Sequence, residues 1–156
     1  IPHFVTDDRP KVHPINARVE SVFDKPFFRE SMHKRRCLIP ATGYYEWQTQ
    51  DARKQPFHIH LPKQSPFLMA GIWDFHGGDE TMPTAAILTT QAPLDLQAIP
   101  HRMPVIIPNE LIYNWFEQPD NRLLMPLSSG VFMADRISTR INSARNEGPD
   151  VLTPAQ

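Results

Sequence analysis

Apolar and polar positions alternate in short stretches along this chain, and prolines interrupt them before any element can grow long. Residues 15–20 (INARVE) alternate and predict a strand. Pro26 predicts the first turn of a short helix over 26–34, with Asp24 or Lys25 near its cap. Residues 36–39 and 43–48 predict two strands joined by a turn at Pro40–Gly43; 56–61 and 67–74 predict two more across a Pro/Lys/Gln turn. The apolar, β-prone stretch 84–90 predicts a buried strand, 93–99 one or two helical turns, and 103–107 a short strand. Pro108 opens a predicted helix to about Gln118, with Leu111, Ile112 and Trp115 on one face. Residues 131–139 alternate into a last strand before a turn-rich tail. Many short strands with few helices predict a mostly antiparallel sheet or a barrel-like core. The absence of a βαβ alternation argues against a doubly wound nucleotide fold.

Composition narrows the class. The chain has 156 residues, 40% of them apolar, which predicts one globular domain. No apolar run approaches the roughly 20 residues of a membrane helix, and no signal-peptide pattern is visible, so a soluble intracellular (cytoplasmic) protein, monomeric by default, is the expectation. Cys37 is the one cysteine, which excludes an internal disulfide framework and a Cys-cluster zinc site. The first residue is Ile1 rather than Met, so a native start is expected to be missing, removed or not included. The net charge of -1 argues against a bulk polyanion binder. Arginine nevertheless outnumbers lysine 11 to 5, and Arg is the better residue for phosphate and for stacking on bases. Residues 29–36 (RESMHKRR) read either as a solvated helix face or as a local phosphate-binding strip.

Three short motifs carry candidate chemistry. In Gly43-Tyr44-Tyr45-Glu46-Trp47, strand geometry puts Glu46 on one face with Tyr44, and Tyr45 and Trp47 on the other. A carboxylate among aromatics is desolvated, which raises its pKa toward the range useful for acid–base work; a strand-edge Glu paired with an Arg is the plainer alternative. Trp47 reads either as core or as a stacking platform for a base. In Ile99-Pro100-His101-Arg102-Met103-Pro104, two prolines frame a loop that presents a proton-shuttling His and a phosphate-holding Arg. His58 and His60 share a strand face, but no third metal ligand is obvious, and no metal or cofactor is expected. Cys37 lies between basic and apolar residues and reads as a small buried hydrophobe rather than a nucleophile.

Taken in order, these segments resemble the SRAP family, SOS response-associated peptidase-like proteins. The matching stretches are INARVE (15–20), KRRCLIPATGYYEW (34–47), KQPF (54–57), AGIW (70–73), ILTT (87–90), HRMPVII (101–107) and NSARNEGP (142–149). The resemblance implies a compact α+β fold with a β-barrel-like core, residues 1–156 being a single SRAP domain lacking its N-terminal segment. It also implies a sensor of abasic sites in single-stranded DNA, acting in the DNA damage (SOS) response. In the family an N-terminal cysteine amine attacks the aldehyde of the opened sugar to give a Schiff base, and its thiol then closes a thiazolidine. Asn16 matches the active-site asparagine, Glu46 the catalytic glutamate, Arg18 and Arg102 positions that hold DNA phosphates, and Trp47 an aromatic packed on a base beside the lesion. Two departures stand out. The nucleophilic cysteine, part of a C-G-R segment upstream of the stretch that Ile1-Pro2 would end, is not in this chain, so the chain as given is expected not to crosslink DNA. The family's I-H-x-R-M-P reads I-P-H-R-M-P here: Pro100 takes the histidine position and His101 follows it. A thiol (auto)peptidase and a non-covalent single-strand binding module are the competing readings.

Overall fold

A computed structural model describes residues 14–50, 53–75, 82–117 and 120–155. The expectations that concern Ile1-Pro2 and the far end of the helix at Gln118 lie outside these residues. Two units divide the chain: one takes residues 1–40, 68–91 and 103–126, the other 41–67, 92–102 and 127–156.

The first unit is built on a five-stranded sheet. Its strands are β1 (Asn16–Arg18), β2 (Arg36–Ala41), β5 (Phe67–Phe75), β6 (Pro83–Gln91) and β7 (Arg102–Pro104), in the order β1-β6-β5-β2 with β7 also on β6. β5 and β6 are antiparallel, whereas β1 runs parallel to β6. Helix α1 (Pro26–Lys34) starts where Pro26 presets the first turn, and it buries Phe28, Ser31 and Met32. Residues 109–111 form a single 3-10 turn that leads into α2 (Ile112–Glu117). Trp115 of α2 and Met32 of α1 are fully buried in a core with Ala17, Val22, Ile72, Leu88 and Val105. Each large side chain in such a core contributes about 1.5–3 kcal/mol. Gly71 lets β2 approach β5: a Cβ there would lie 3.0 Å from both Cys37 Sγ and Ile39 Cδ1.

The basic segment 29–36 is a structural device. Arg36 donates to the carbonyls of Met32 (2.8 Å) and His33 (3.0 Å) at the end of α1, and to those of Trp115 (2.8 Å) and Phe116 in α2. It thereby satisfies helix-end carbonyls that would otherwise lack donors. Arg35 reaches Asp74 at 3.1 Å, and Lys34 and Arg35 each lie 3.5 Å from Glu30. Three of the segment's four cations thus hold α1 in place or pair along it, and Arg29 is exposed.

The second unit carries the three-stranded antiparallel sheet β3-β4-β8, formed by β3 (Gly43–Gln50), β4 (Arg53–His60) and β8 (Met133–Arg136). Phe132 packs edge-on against Tyr44 and Phe67, and Gln55 Nε2 donates to the carbonyls of Pro56 and Ile137, both at 2.9 Å. Single 3-10 turns cover 62–64, 139–142 and 149–152.

The mixed α+β class with mostly antiparallel strands holds, but the sheets are open rather than closed into a barrel. Closure needs each strand hydrogen-bonded to the next all the way round, and here β2 and β3, though consecutive, belong to different sheets. The Pro40–Gly43 turn accordingly joins two sheets rather than forming a hairpin. Residues 93–99 form turns, not a helix: Leu96 and Gln97 N–H donate to the Pro93 carbonyl (3.0 and 3.2 Å) and Ile99 N–H to the Leu96 carbonyl (2.8 Å), and the pattern stops at Pro100, which disfavours helical backbone at Ile99. Among the described residues no helix is long and apolar enough to cross a membrane.

Candidate functional site

In the first unit, strand alternation buries Ala17 and leaves Asn16 and Arg18 exposed on either side of it. Their register opposite Ile87 and Thr89 fixes both side chains on the sheet edge. Val19 N–H continues the pairing to the Thr89 carbonyl at 3.0 Å. An open cavity of about 550 Å³ follows, lined by the turn after β1 (Val19, Glu20, Phe23), the end of β6 (Thr90, Gln91) and residues 121–126. Cys37 is half-buried, and burial pushes its thiol pKa up, the opposite of nucleophile activation.

In the second unit, the register pairs Tyr44 with Ile59, Tyr45 with His58, Glu46 with Phe57 and Trp47 with Pro56. Residues directly opposite share a face. One face therefore carries Tyr44, Glu46 and Gln48; the other carries Gly43, Tyr45, Trp47, His58 and His60. The sequence expectation for the GYYEW motif holds to the residue.

Glu46 is partly buried, and burial raises its carboxyl pKa, against a smaller lowering from the Trp47 backbone N–H. No ion pair to Glu46 occurs among the described residues, so the Arg-paired edge carboxylate is not the arrangement found. Tyr44, on the same face, buries its hydroxyl without a hydrogen-bond partner among the described residues. Burial and the neighbouring Glu46 both push the phenol pKa up. Gln48 completes this row by donating from Nε2 to the Ala98 carbonyl at 2.7 Å. That bond brings the 92–102 loop against the face that holds Glu46.

The loop closes on itself where Ala92 N–H donates to the His101 carbonyl at 3.1 Å. Pro100 is buried, His101 exposed and Arg102 half-buried. The position that the family pattern gives to histidine is thus a buried pyrrolidine here, and the imidazole one residue later faces outward.

The opposite face is organised by rings. Trp47 is 37% exposed, and its Nε1–H donates to Asn142 Oδ1 at 2.7 Å. The rings of Tyr45 and His58 lie 5.6 Å apart, and His58 stacks on His60 at 4.8 Å. His60 Nδ1 lies 2.8 Å from the Leu61 carbonyl and Nε2 3.0 Å from Asp135 Oδ2. Both partners are acceptors, an arrangement that favours the doubly protonated ring. Burial alone would lower its pKa, but the bonds to Leu61 and Asp135 outweigh that and raise it. Burial and then the charge on His60 lower the pKa of His58, against a smaller opposing pull from Asp135. The two histidines thus have pKa values shifted in opposite directions, and His60 is tied to β8 through Asp135. Among the described residues no group of three or more His, Cys, Asp or Glu could hold a metal ion.

Asn142 was named in the sequence only as part of a matching stretch. No local pattern marks it, because its partner Trp47 lies 95 residues away.

The family model described as SOS response associated peptidase (SRAP) matches residues 1–144. The chain is 33% identical over 161 residues to the abasic site processing protein YoqW of Bacillus subtilis, covering 97% of this chain and 72% of the relative. It is 32% identical over 184 residues to the abasic site processing protein HMCES of Gallus gallus, where it spans 54% of the relative's length. A solved structure from Bacteroides thetaiotaomicron superimposes with a TM-score of 0.78 at 32% identity, covering 90% of this chain and 66% of that one.

Proposed function

The chain belongs to the SOS response associated peptidase (SRAP) family, and from that premise we propose that the whole protein processes abasic sites in single-stranded DNA, crosslinking to them through an N-terminal cysteine, with residues 1–156 serving as one SRAP domain. Relatives named as abasic site processing proteins support the substrate. The observation that carries the chemistry is Glu46, a half-buried carboxyl with a raised pKa, unpaired among the described residues and facing the 92–102 loop.

In this reading the cysteine amine adds to the C1 aldehyde of the ring-opened sugar. The carbinolamine then loses its hydroxyl as water to give an imine, and the thiol adds across the C=N bond to close a thiazolidine. Glu46 moves the protons: its raised pKa favours its acid form, which gives a proton to the departing hydroxyl and takes one back. Pro100 cannot exchange protons, so Glu46 carries the proton transfers, with exposed His101 the one imidazole offered by the loop. Asn16 orients the cysteine or the sugar, Arg18 and Arg102 hold phosphates, and Trp47 packs on a base. No metal or cofactor enters the scheme.

Incubating the whole protein with abasic and with intact single-stranded DNA tests this. A denaturing gel should show a stable adduct with the abasic strand alone. Binding without an adduct would overturn the covalent step and leave a binding module. Turnover of peptides in trans, lost in Asn16→Ala and Glu46→Gln, would instead establish the peptidase that the family's name describes.

A further inference from the structure

Trp47 is held at its indole nitrogen by Asn142. Asn142 accepts the indole N–H through Oδ1 at 2.7 Å, and its Nδ2 donates to the Lys54 carbonyl at 3.1 Å. The two bonds have opposite polarity, so a flipped amide would lose both. Asn142 itself ends the 139–142 turn, which is fixed at both ends. Ser138 Oγ accepts from Arg140 N–H at 3.3 Å, and the Arg140 carbonyl accepts from Ser143 N–H at 3.2 Å and from Asn146 Nδ2 at 2.7 Å. Ser138 N–H in turn donates to the Thr153 carbonyl at 2.9 Å. The indole is thus pinned at its nitrogen edge by a braced turn, while more than a third of its surface stays open to solvent.

An exposed tryptophan with a free N–H would sample several rotamers and lose that freedom on stacking; one already held loses little. We propose that Asn142 is a positioning residue for base stacking: it sets the Trp47 indole as a preformed platform for a base of single-stranded DNA. The proposal rests on the reading that Trp47 meets a base.

A double-mutant cycle on the whole protein tests it, with affinity for a fluorescein-labelled single-stranded oligonucleotide read by anisotropy. Trp47→Phe keeps a ring and removes the N–H. Asn142→Leu should weaken binding about 5- to 10-fold in the wild-type background, at the low end of the range of one stacked base, and should add nothing in the Trp47→Phe background. An equal loss in both backgrounds would mean that Asn142 acts through the Lys54 carbonyl and the local turn, and would overturn the proposal. Trp47→Ala separates the layers: unchanged affinity in that variant overturns the base contact itself, whereas a loss there without coupling in the cycle overturns only the role of Asn142.

Discussion

On one face of the β3-β4-β8 sheet, Glu46 is partly buried with no cation beside it among the described residues; on the other, His60 is buried with Asp135 on one ring nitrogen and a carbonyl on the other. The two faces treat charge in opposite ways. A buried charge is tolerated where fixed partners compensate it, and the His60 face supplies those partners. Among the described residues the Glu46 face does not, and burial raises the pKa of its carboxyl. Compensation builds structure, and its absence leaves a group free to exchange protons. Substitutions should sort by charged group: replacing Glu46 should change chemistry and spare the fold, and disturbing the His58–His60 pair should do the reverse.

Glu46→Gln should have the largest effect. The rate of adduct formation by the whole protein should fall about 10²–10⁴-fold, the usual range for a proton-transfer group. Thermal stability should be unchanged or raised at neutral pH. The sign follows from the raised pKa: the folded state favours protonated Glu46, so ionising it above its unfolded value costs stability, and the neutral amide avoids that cost. A marked drop in melting temperature would break the comparison.

Gly43→Ala should act in the opposite way. A Cβ on Gly43 would fall within the van der Waals envelope of the His58 ring, which is buried and stacked on His60. Moving that ring should cost about 1–3 kcal/mol of stability by denaturant titration.

Asp135→Asn sharpens the contrast through pH. The folded pKa of His60 is raised above its unfolded value of 6.5, so its contribution is fully present below about pH 6.5 and is lost as pH rises through the raised folded value. Asp135 is mostly exposed, so the pair is worth about 1 kcal/mol or less. In the variant the decline in stability above pH 6.5 should flatten, while the rate of adduct formation at a fixed pH stays as in the wild type. An unchanged pH profile would show that the ring is neutral.

Tyr44→Phe should have the smallest effect on stability. The hydroxyl is buried without a partner among the described residues, so removing it should leave stability unchanged or raise it slightly, by up to about 1 kcal/mol. A loss would mean that a partner satisfies the phenol.

The sequence determined most of the local structure. Pro26 set the start of α1, alternation placed Ala17 inward between Asn16 and Arg18, and the GYYEW register put Glu46 and Trp47 on opposite faces. These are period-two and first-turn effects that need no distant partner. Tertiary structure decided what those residues meet. Arg35 and Arg36 read as free cations until Asp74 and the Trp115 and Phe116 carbonyls, some 40 and 80 residues away, take them up. His58 and His60 read as an incomplete metal pair until Asp135, 75 residues on, meets one ring and raises its pKa. The strands themselves were legible, but whether their sheets close was not, because each hydrogen-bonds to partners distant in the chain. Local sequence sets which way a side chain points; only long-range contact sets whether its charge is compensated.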